Sequence, residues 1–343
     1  MYLEHFRLKD HPFRLTPDQD FFYMGHGHAR AKAYMDYTVV SRDGFVVITG
    51  EIGAGKTTLL NKIIAEMSED VVLAHINQSR LSDVEFLQAV VSAFGMDIAN
   101  AGKVELLNRL RSFLQRQFEA DRRVVLAVDE AQSLGYPVLE EIRQLVGSEA
   151  DKSKLISVIL MGQPELRDLI NSPQMEQLSQ RVRLRFHLGP LTREEVRKYI
   201  RHRLRVARAV SGDLFADGAY DAIYRYAGGI PRLINSLCDM AMLTAFVDNQ
   251  FQVSAAIVKQ AAEELDWPLF EERQAAMRRQ GVAPPSTDGG QADREINVAD
   301  ISELAKAFTA GIHGVADAMD GLRKDLQAID RRLEELAKRL ERR

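Results

Sequence analysis

Gly50-Glu51-Ile52-Gly53-Ala54-Gly55-Lys56-Thr57-Thr58 follows directly on the apolar run Phe45-Val46-Val47-Ile48-Thr49. Glycine, four residues, glycine, lysine and a hydroxyl residue is the spacing of a phosphate-binding loop. Glycines let main-chain N–H groups turn toward an anion with no Cβ in the way. The helix expected from Lys56 to Ile64 presents the positive end of its dipole to the same point. All nine residues from Gly50 to Thr58 are therefore candidates to line a nucleoside triphosphate. Lys56 would set its charge against the β- and γ-phosphates, and Thr57 would offer its hydroxyl to Mg²⁺.

A second acidic motif belongs to the same chemistry. Val124-Val125-Leu126-Ala127-Val128 runs straight into Asp129-Glu130-Ala131-Gln132. An aspartate at the carboxyl end of a buried strand can hold a metal beside the phosphates, so Asp129 joins Thr57 as a metal candidate. Glu130 is the candidate general base, since a carboxylate there can orient an attacking water and take its proton. That points to hydrolysis of the triphosphate rather than to binding alone.

Outward from these motifs, further β-branched runs lie at Val71–Ile76, Ile156–Leu160 and Val182–Leu188. Most of the strand candidates read as continuous apolar segments, as strands covered on both faces do, and amphipathic helices separate them. The expected fold class is α/β, a parallel five-stranded sheet of the P-loop type with helices on both faces. Ser82-x-x-Glu85 and Thr192-x-x-Glu195 fit the capping box that starts a helix. After Leu191 only helices are expected, so residues 1–191 form the nucleotide-binding domain and 192–272 an all-helical lid. Residues 273–296, with Pro284-Pro285-Ser286 and Asp288-Gly289-Gly290, read as a flexible linker. Residues 297–343 read as a coiled-coil helix, because Leu322, Leu326, Ile329, Leu333, Leu336 and Leu340 alternate steps of four and three. Such a seam favours self-association or a partner helix.

Composition narrows the classes. Three hundred and forty-three residues exceed one ordinary core, which supports two domains. The 46% hydrophobic share excludes general disorder, and 45 Lys+Arg against 49 Asp+Glu gives −4, so no global basic field points to nucleic acid. Arg197, Arg201, Arg203, Arg205 and Arg208 cluster on one helix and are expected to be a solvated face. The single cysteine, Cys238, excludes an intrachain disulfide and reads as a buried hydrophobe. The charged start and the lack of an apolar stretch of roughly 18 residues argue for a cytoplasmic chain with no transmembrane segment.

Taken together, the P-loop, the Asp129-Glu130 pair, Met161-Gly162-Gln163-Pro164-Glu165-Leu166 and Gly228-Gly229-Ile230-Pro231-Arg232-Leu233-Ile234-Asn235 resemble an AAA+ ATPase. The opening segment, with Tyr2-Leu3, Phe6, Pro12-Phe13, Thr16-Pro17-Asp18 and Phe21-Phe22-Tyr23, is similar to that of the general secretion pathway protein A (ExeA-like) group. Within it, the sequence most resembles secretion ATPases of exosortase (PEP-CTERM) and exopolysaccharide loci. The resemblance covers roughly residues 1 to 270.

It implies ATP and Mg²⁺ as ligands, a homo-oligomer formed through AAA+ interfaces or the C-terminal coil, and a secretion or polysaccharide-export partner at the inner membrane. It also implies roles for three more residues. Gln163 matches sensor 1, Arg232 matches the lid arginine sensor 2, and Arg181 matches an arginine finger that would act on a neighbouring subunit. For Arg181 a surface arginine paired to a helix carboxylate is the competing reading, and Arg183 and Arg185 follow at once. Phe21, Phe22 and Tyr23 are expected in the core or in a base pocket, and His26 and His28 are assigned no metal. Known secretion members continue into a transmembrane segment and a peptidoglycan-binding module not seen here, so cell-wall remodelling is not expected. Gly147 stands where relatives often have asparagine. A DNA-associated ATPase and an ATP-gated scaffold are the alternative functions, with nucleic acid the less expected partner.

Overall fold

The computed structural model describes residues 2–279, apart from 17, 43, 79, 100, 148, 151–152 and 210–213. The expected coiled coil at 297–343 and most of the expected linker lie outside the described residues.

In chain order the molecule runs α1 (Tyr2–His5), α2 (His26–Ser41), β1 (Phe45–Gly50), α3 (Lys56–Glu66), β2 (Val71–Ile76), α4 (Asp83–Ala93), α5 (Lys103–Glu119) and β3 (Arg123–Val128). After α6 (Tyr136–Val146) come two short strands, β4 (Glu149–Ala150) and β5 (Ser153–Lys154), which pair with each other. Then follow β6 (Ser157–Gly162), α7 (Pro164–Ile170), α8 (Glu176–Ser179) and β7 (Leu184–Leu188). The main sheet is parallel in the order β2-β3-β6-β1-β7. The loop strand β1 thus sits between β6 and β7, and β6 separates it from the acidic strand β3.

Alternation of side chains by two splits the core into two layers. Phe45, Val47, Val124, Leu126, Val128, Val158 and Leu160 face one cluster with α4, α5 and α6. Val46, Ile48, Val125, Ala127, Ile159 and Met161 face the other, with α2 and α3. Coverage on both faces is why these strands carry no polar alternation.

The lid holds α9 (Arg193–Val206), α10 (Asp217–Ala227), α11 (Pro231–Val247), α12 (Ala255–Glu264) and α13 (Phe270–Arg279). Both capping boxes form, Ser82 with Glu85 and Thr192 with Glu195. The turn into α11 brings the chain back against the sheet domain. Gly229 (φ +78°) accepts from the Leu191 N–H at 2.9 Å, and any Cβ on it would lie 2.1 Å from the Leu191 carbonyl oxygen.

Two boundaries differ from expectation. Helix α13 continues to Arg279, so the helical region passes beyond residue 272; Phe270 is buried and Arg273 donates to the Tyr226 carbonyl, which ties this helix to α10. The amino-terminal segment belongs to the lid rather than to the sheet domain. Tyr2, Phe6, Leu8, Phe13 and Phe21 share one buried cluster with Val196, Ile200, Leu237 and Cys238. Arg203, buried instead of solvated, adds polar ties to this packing. It donates to the carbonyls of Pro12 and Arg14 and to the Tyr199 hydroxyl, and its guanidinium lies over Phe21. Asn235 adds a bond to Arg14, and Tyr2 donates to Asp239 at 2.6 Å.

Candidate nucleotide site

Three loops meet at the carboxyl ends of the adjacent strands β1, β6 and β3, the usual position for a ligand in an open parallel sheet. β1 delivers the P-loop, β6 delivers Gln163, and β3 delivers Asp129 and Glu130. The sheet order therefore puts Gln163 between the loop and the acids, far as the three are in sequence.

The loop has the shape of an anion cradle. Gly53 (φ +81°) and Gly55 (φ +96°) lie in the left-handed region, which glycine adopts without strain. Helix α3 starts at Lys56 with no side-chain cap, which leaves its first N–H groups for a ligand. The ammonium of Lys56 is buried and donates to the carbonyls of Gly50 (2.7 Å) and Glu51 (3.0 Å). Burial pulls its pKa below the ordinary lysine value, against the opposing pull of Glu130, Asp129, Glu51 and Glu165. Ile52 is exposed at the tip, Ala54 is buried, and Thr58 is half-buried in the first turn of α3.

Thr57 Oγ1 donates to Asp129 Oδ2 at 2.6 Å, and Asp129 is 3% exposed. A buried carboxylate and a hydroxyl side by side are the hard oxygen donors that Mg²⁺ takes beside phosphates, so the residues present fit that ion. Glu130 itself sits in left-handed backbone (φ 52°, ψ 34°), sparsely populated for a residue with a side chain. Its N–H donates to Asp129 Oδ1 at 2.9 Å, and its Oε2 accepts from Gln163 Nε2 at 3.2 Å and Gln132 Nε2 at 2.6 Å. The expected sensor and the expected base are thus in contact.

From the lid, the backbone N–H of Arg232 donates to the Gly53 carbonyl at 3.2 Å. A Cβ on Gly53 would stand 2.4 Å from Arg232 Cβ, so this glycine is also what lets the lid touch the loop. The Arg232 side chain is exposed at the start of α11.

Arg181 lies elsewhere. It is exposed, donates through Nη1 to the Arg143 carbonyl at 2.8 Å, and lines an open cleft of about 750 Å³ with Arg111 and Arg143. A Cβ on Gly147 would meet its guanidinium at 2.8 Å. Among the described residues its hydrogen bond goes to the helix carbonyl, and its charge, after that of Arg143, also helps to hold the Glu140 carboxyl below the ordinary value.

Two residues escaped the sequence reading. His28 is buried, and its Nε2 faces the Ala54 carbonyl of the loop at 3.0 Å, so Nε2 must carry the proton. Phe22 packs edge-on against it. Gln132 was visible only as the last residue of the acidic motif. Nothing in spacing distinguishes a loop glutamine that folds back on the preceding carboxylate. Among the described residues no cluster of three or more His, Cys, Asp or Glu side chains is placed to hold a metal.

Residues 39–170 match the family model described as "AAA domain". Among solved structures, the chain is similar to the Aeropyrum pernix ORC2 protein in its ADPNP–ADP complexes (TM-score 0.52, 17% identity, 78% of this chain and 75% of that one). It is also similar to Cdc6p from Pyrobaculum aerophilum (TM-score 0.56, 17% identity, 74% and 70%) and to Drosophila ORC bound to DNA (TM-score 0.53, 16% identity, 88% and 82%). The chain has the P-loop AAA+ fold.

A curated relative, general secretion pathway protein A of Aeromonas hydrophila, is 36% identical over 266 residues, 77% of this chain and 48% of that protein. The chain therefore spans about half the length of that relative. Among the described residues, no helix is long and apolar enough to cross a membrane.

Proposed function

We propose that the chain binds ATP with Mg²⁺ and hydrolyses it, and that its nucleotide state drives assembly or export in a secretion system. The observation that carries this is the meeting of Lys56, Thr57, Asp129, Glu130 and Gln163 at the ends of three neighbouring strands. Lys56 and the N–H groups of Gly53 and of Gly55 to Thr58 bind and orient the phosphates, while the Ala54 N–H closes the loop on the Glu51 carbonyl at 3.1 Å. Thr57 and Asp129 would hold a divalent cation, which would supply neutralising charge beside the phosphates. Glu130 aligns a water and takes its proton, Gln163 steadies the carboxylate, and Arg232 reaches the outer phosphate from the lid. Lys56→Ala should abolish ATP binding. Glu130→Gln should bind ATP with near wild-type affinity but lower kcat by about a hundredfold or more. Wild-type turnover in Glu130→Gln would end the assignment of the base, and turnover no faster than Lys56→Ala in every condition would leave a nucleotide-gated scaffold.

The secretion role is supported by the 36% identity to general secretion pathway protein A. The narrower reading, export linked to an exosortase or to exopolysaccharide, rests on the resemblance of the opening segment and the P-loop, acidic and lid motifs. It places the chain in the cytoplasm, held at the inner membrane by a partner. Neighbouring genes for an exosortase or for polysaccharide synthesis would support it, and transposase neighbours would count against it. The DNA-associated alternative is not favoured by the lid. Arg193 and Arg197 pair with Asp221 and Asp217, and Arg203 is buried, so these charges are engaged within the fold.

A further inference from the structure

Gln132 makes both ends of its amide count. Its Oε1 accepts the backbone N–H of Gln163 at 2.9 Å, while its Nε2 donates to Glu130 Oε2 at 2.6 Å. The amide has no freedom to flip. A main-chain N–H can only donate, so Oε1 must face β6 and Nε2 must face the carboxylate. Gly162 leaves room for this approach: a Cβ there would lie 2.7 Å from Gln132 Oε1 and 2.8 Å from Leu166 Cδ2. Gln163 brings a second donor, its own Nε2, to the same Glu130 oxygen. Glu130 Oε1 has no hydrogen-bond partner among the described residues. One carboxylate oxygen is thus held by two amides and the other is left available.

We propose that Gln132 is a positioning residue for hydrolysis, a strut between the end of β6 and Glu130 that turns Glu130 Oε1 toward the attacking water. This rests on the hydrolase reading above. The strut acts through Glu130, and among the described residues its amide bonds only to Glu130 and the Gln163 N–H and not to Lys56, Thr57 or Asp129, so its loss should reach the chemical step and spare binding. Carboxylate placement is sensitive because an error of about 1 Å in a reacting group can cost a hundredfold in rate. The left-handed backbone of Glu130 is sparsely populated for a residue with a side chain and persists only where surrounding contacts fix it, which the two amides help to do.

The test uses the full chain with fluorescent ATP for binding and phosphate release for turnover. Gln132→Met keeps length and removes both hydrogen bonds; kcat should fall about tenfold to a hundredfold, while Kd for ATP stays within about twofold. Gln132→Glu keeps an acceptor for the Gln163 N–H but sets a carboxylate against Glu130, and should lose kcat at least as far. It also serves should the methionine variant not fold. Adding Gln132→Met to Glu130→Gln should change the residual rate by less than about twofold, because groups acting as one unit are not additive. A wild-type kcat in Gln132→Met, a rise in Kd with kcat unchanged, or a full further loss in the double variant would overturn the proposal. If instead wild type turns over no faster than Glu130→Gln, the hydrolase reading fails and takes the strut with it.

Discussion

Histidines give the molecule its sharpest residue-scale dependence on pH. Burial pushes the imidazole of His28 below the usual value near 6.5, partly opposed by the Ala54 carbonyl and Glu195. His187, beside Arg167 and Lys56, and His202, beside Arg205 and Arg203, are also depressed, again chiefly by burial. A depressed histidine is neutral in the folded protein while the unfolded chain takes up a proton. Stability contributed this way is complete above about pH 6.5 and declines as pH falls from there toward the folded values. Urea midpoints should therefore drop between about pH 7 and 5, and His28→Asn should flatten that slope. An unchanged slope would mean that His28 titrates alike in both states. The sequence offered His28 only as an unassigned metal candidate, because burial is decided by the loop and by Phe22, which come together only on folding.

At the scale of elements, the sequence displayed the sheet well and the strap poorly. Continuous apolar runs announce β1, β3 and β6 as strands buried on both faces, and the edge strand β7, where Arg185 and His187 alternate with Leu184, Phe186 and Leu188, also lies where a strand is expected. The P-loop and Asp129-Glu130 were equally plain, since their chemistry demands fixed residue types in consecutive order. The contact of Gln163 with Glu130 depends instead on β6 lying between β1 and β3, a matter of strand order that spacing does not encode. The strap formed by residues 2–21 was hidden because an arginine row on a helix normally faces water. Arg203 departs from that rule through the carbonyls it satisfies. Removing a charged donor from buried acceptors is costly, so Arg203→Ala should lower unfolding free energy by about 2 kcal/mol or more. Limited proteolysis should then cut first within residues 7–20. If cleavage began elsewhere with stability unchanged, Arg203 would not be what fastens the strap.

For the whole molecule, the separation of Arg181 from the loop has a direct test. Arg181 is exposed and shares its cleft with Arg111 and Arg143, whereas Lys56 and Glu130 sit at the strand ends. A finger acting between subunits makes hydrolysis depend on assembly. Arg181→Ala and Lys56→Ala should each be inactive alone. Mixing them should recover a fraction of wild-type turnover, because one class of interface pairs an intact loop with an intact arginine. Mixed assemblies with no recovery would leave Arg181 as the support of the α6 end that its bond to Arg143 already makes it. The lid core poses another question for anyone who recombines such proteins. Because Phe6, Phe13 and Phe21 complete it from the opposite end of the chain, a graft of residues 192–279 would carry an open hydrophobic seat into its new host. A viable chimera must exchange two separate stretches at once, and a crossover placed at the junction before Thr192 divides what folding joins.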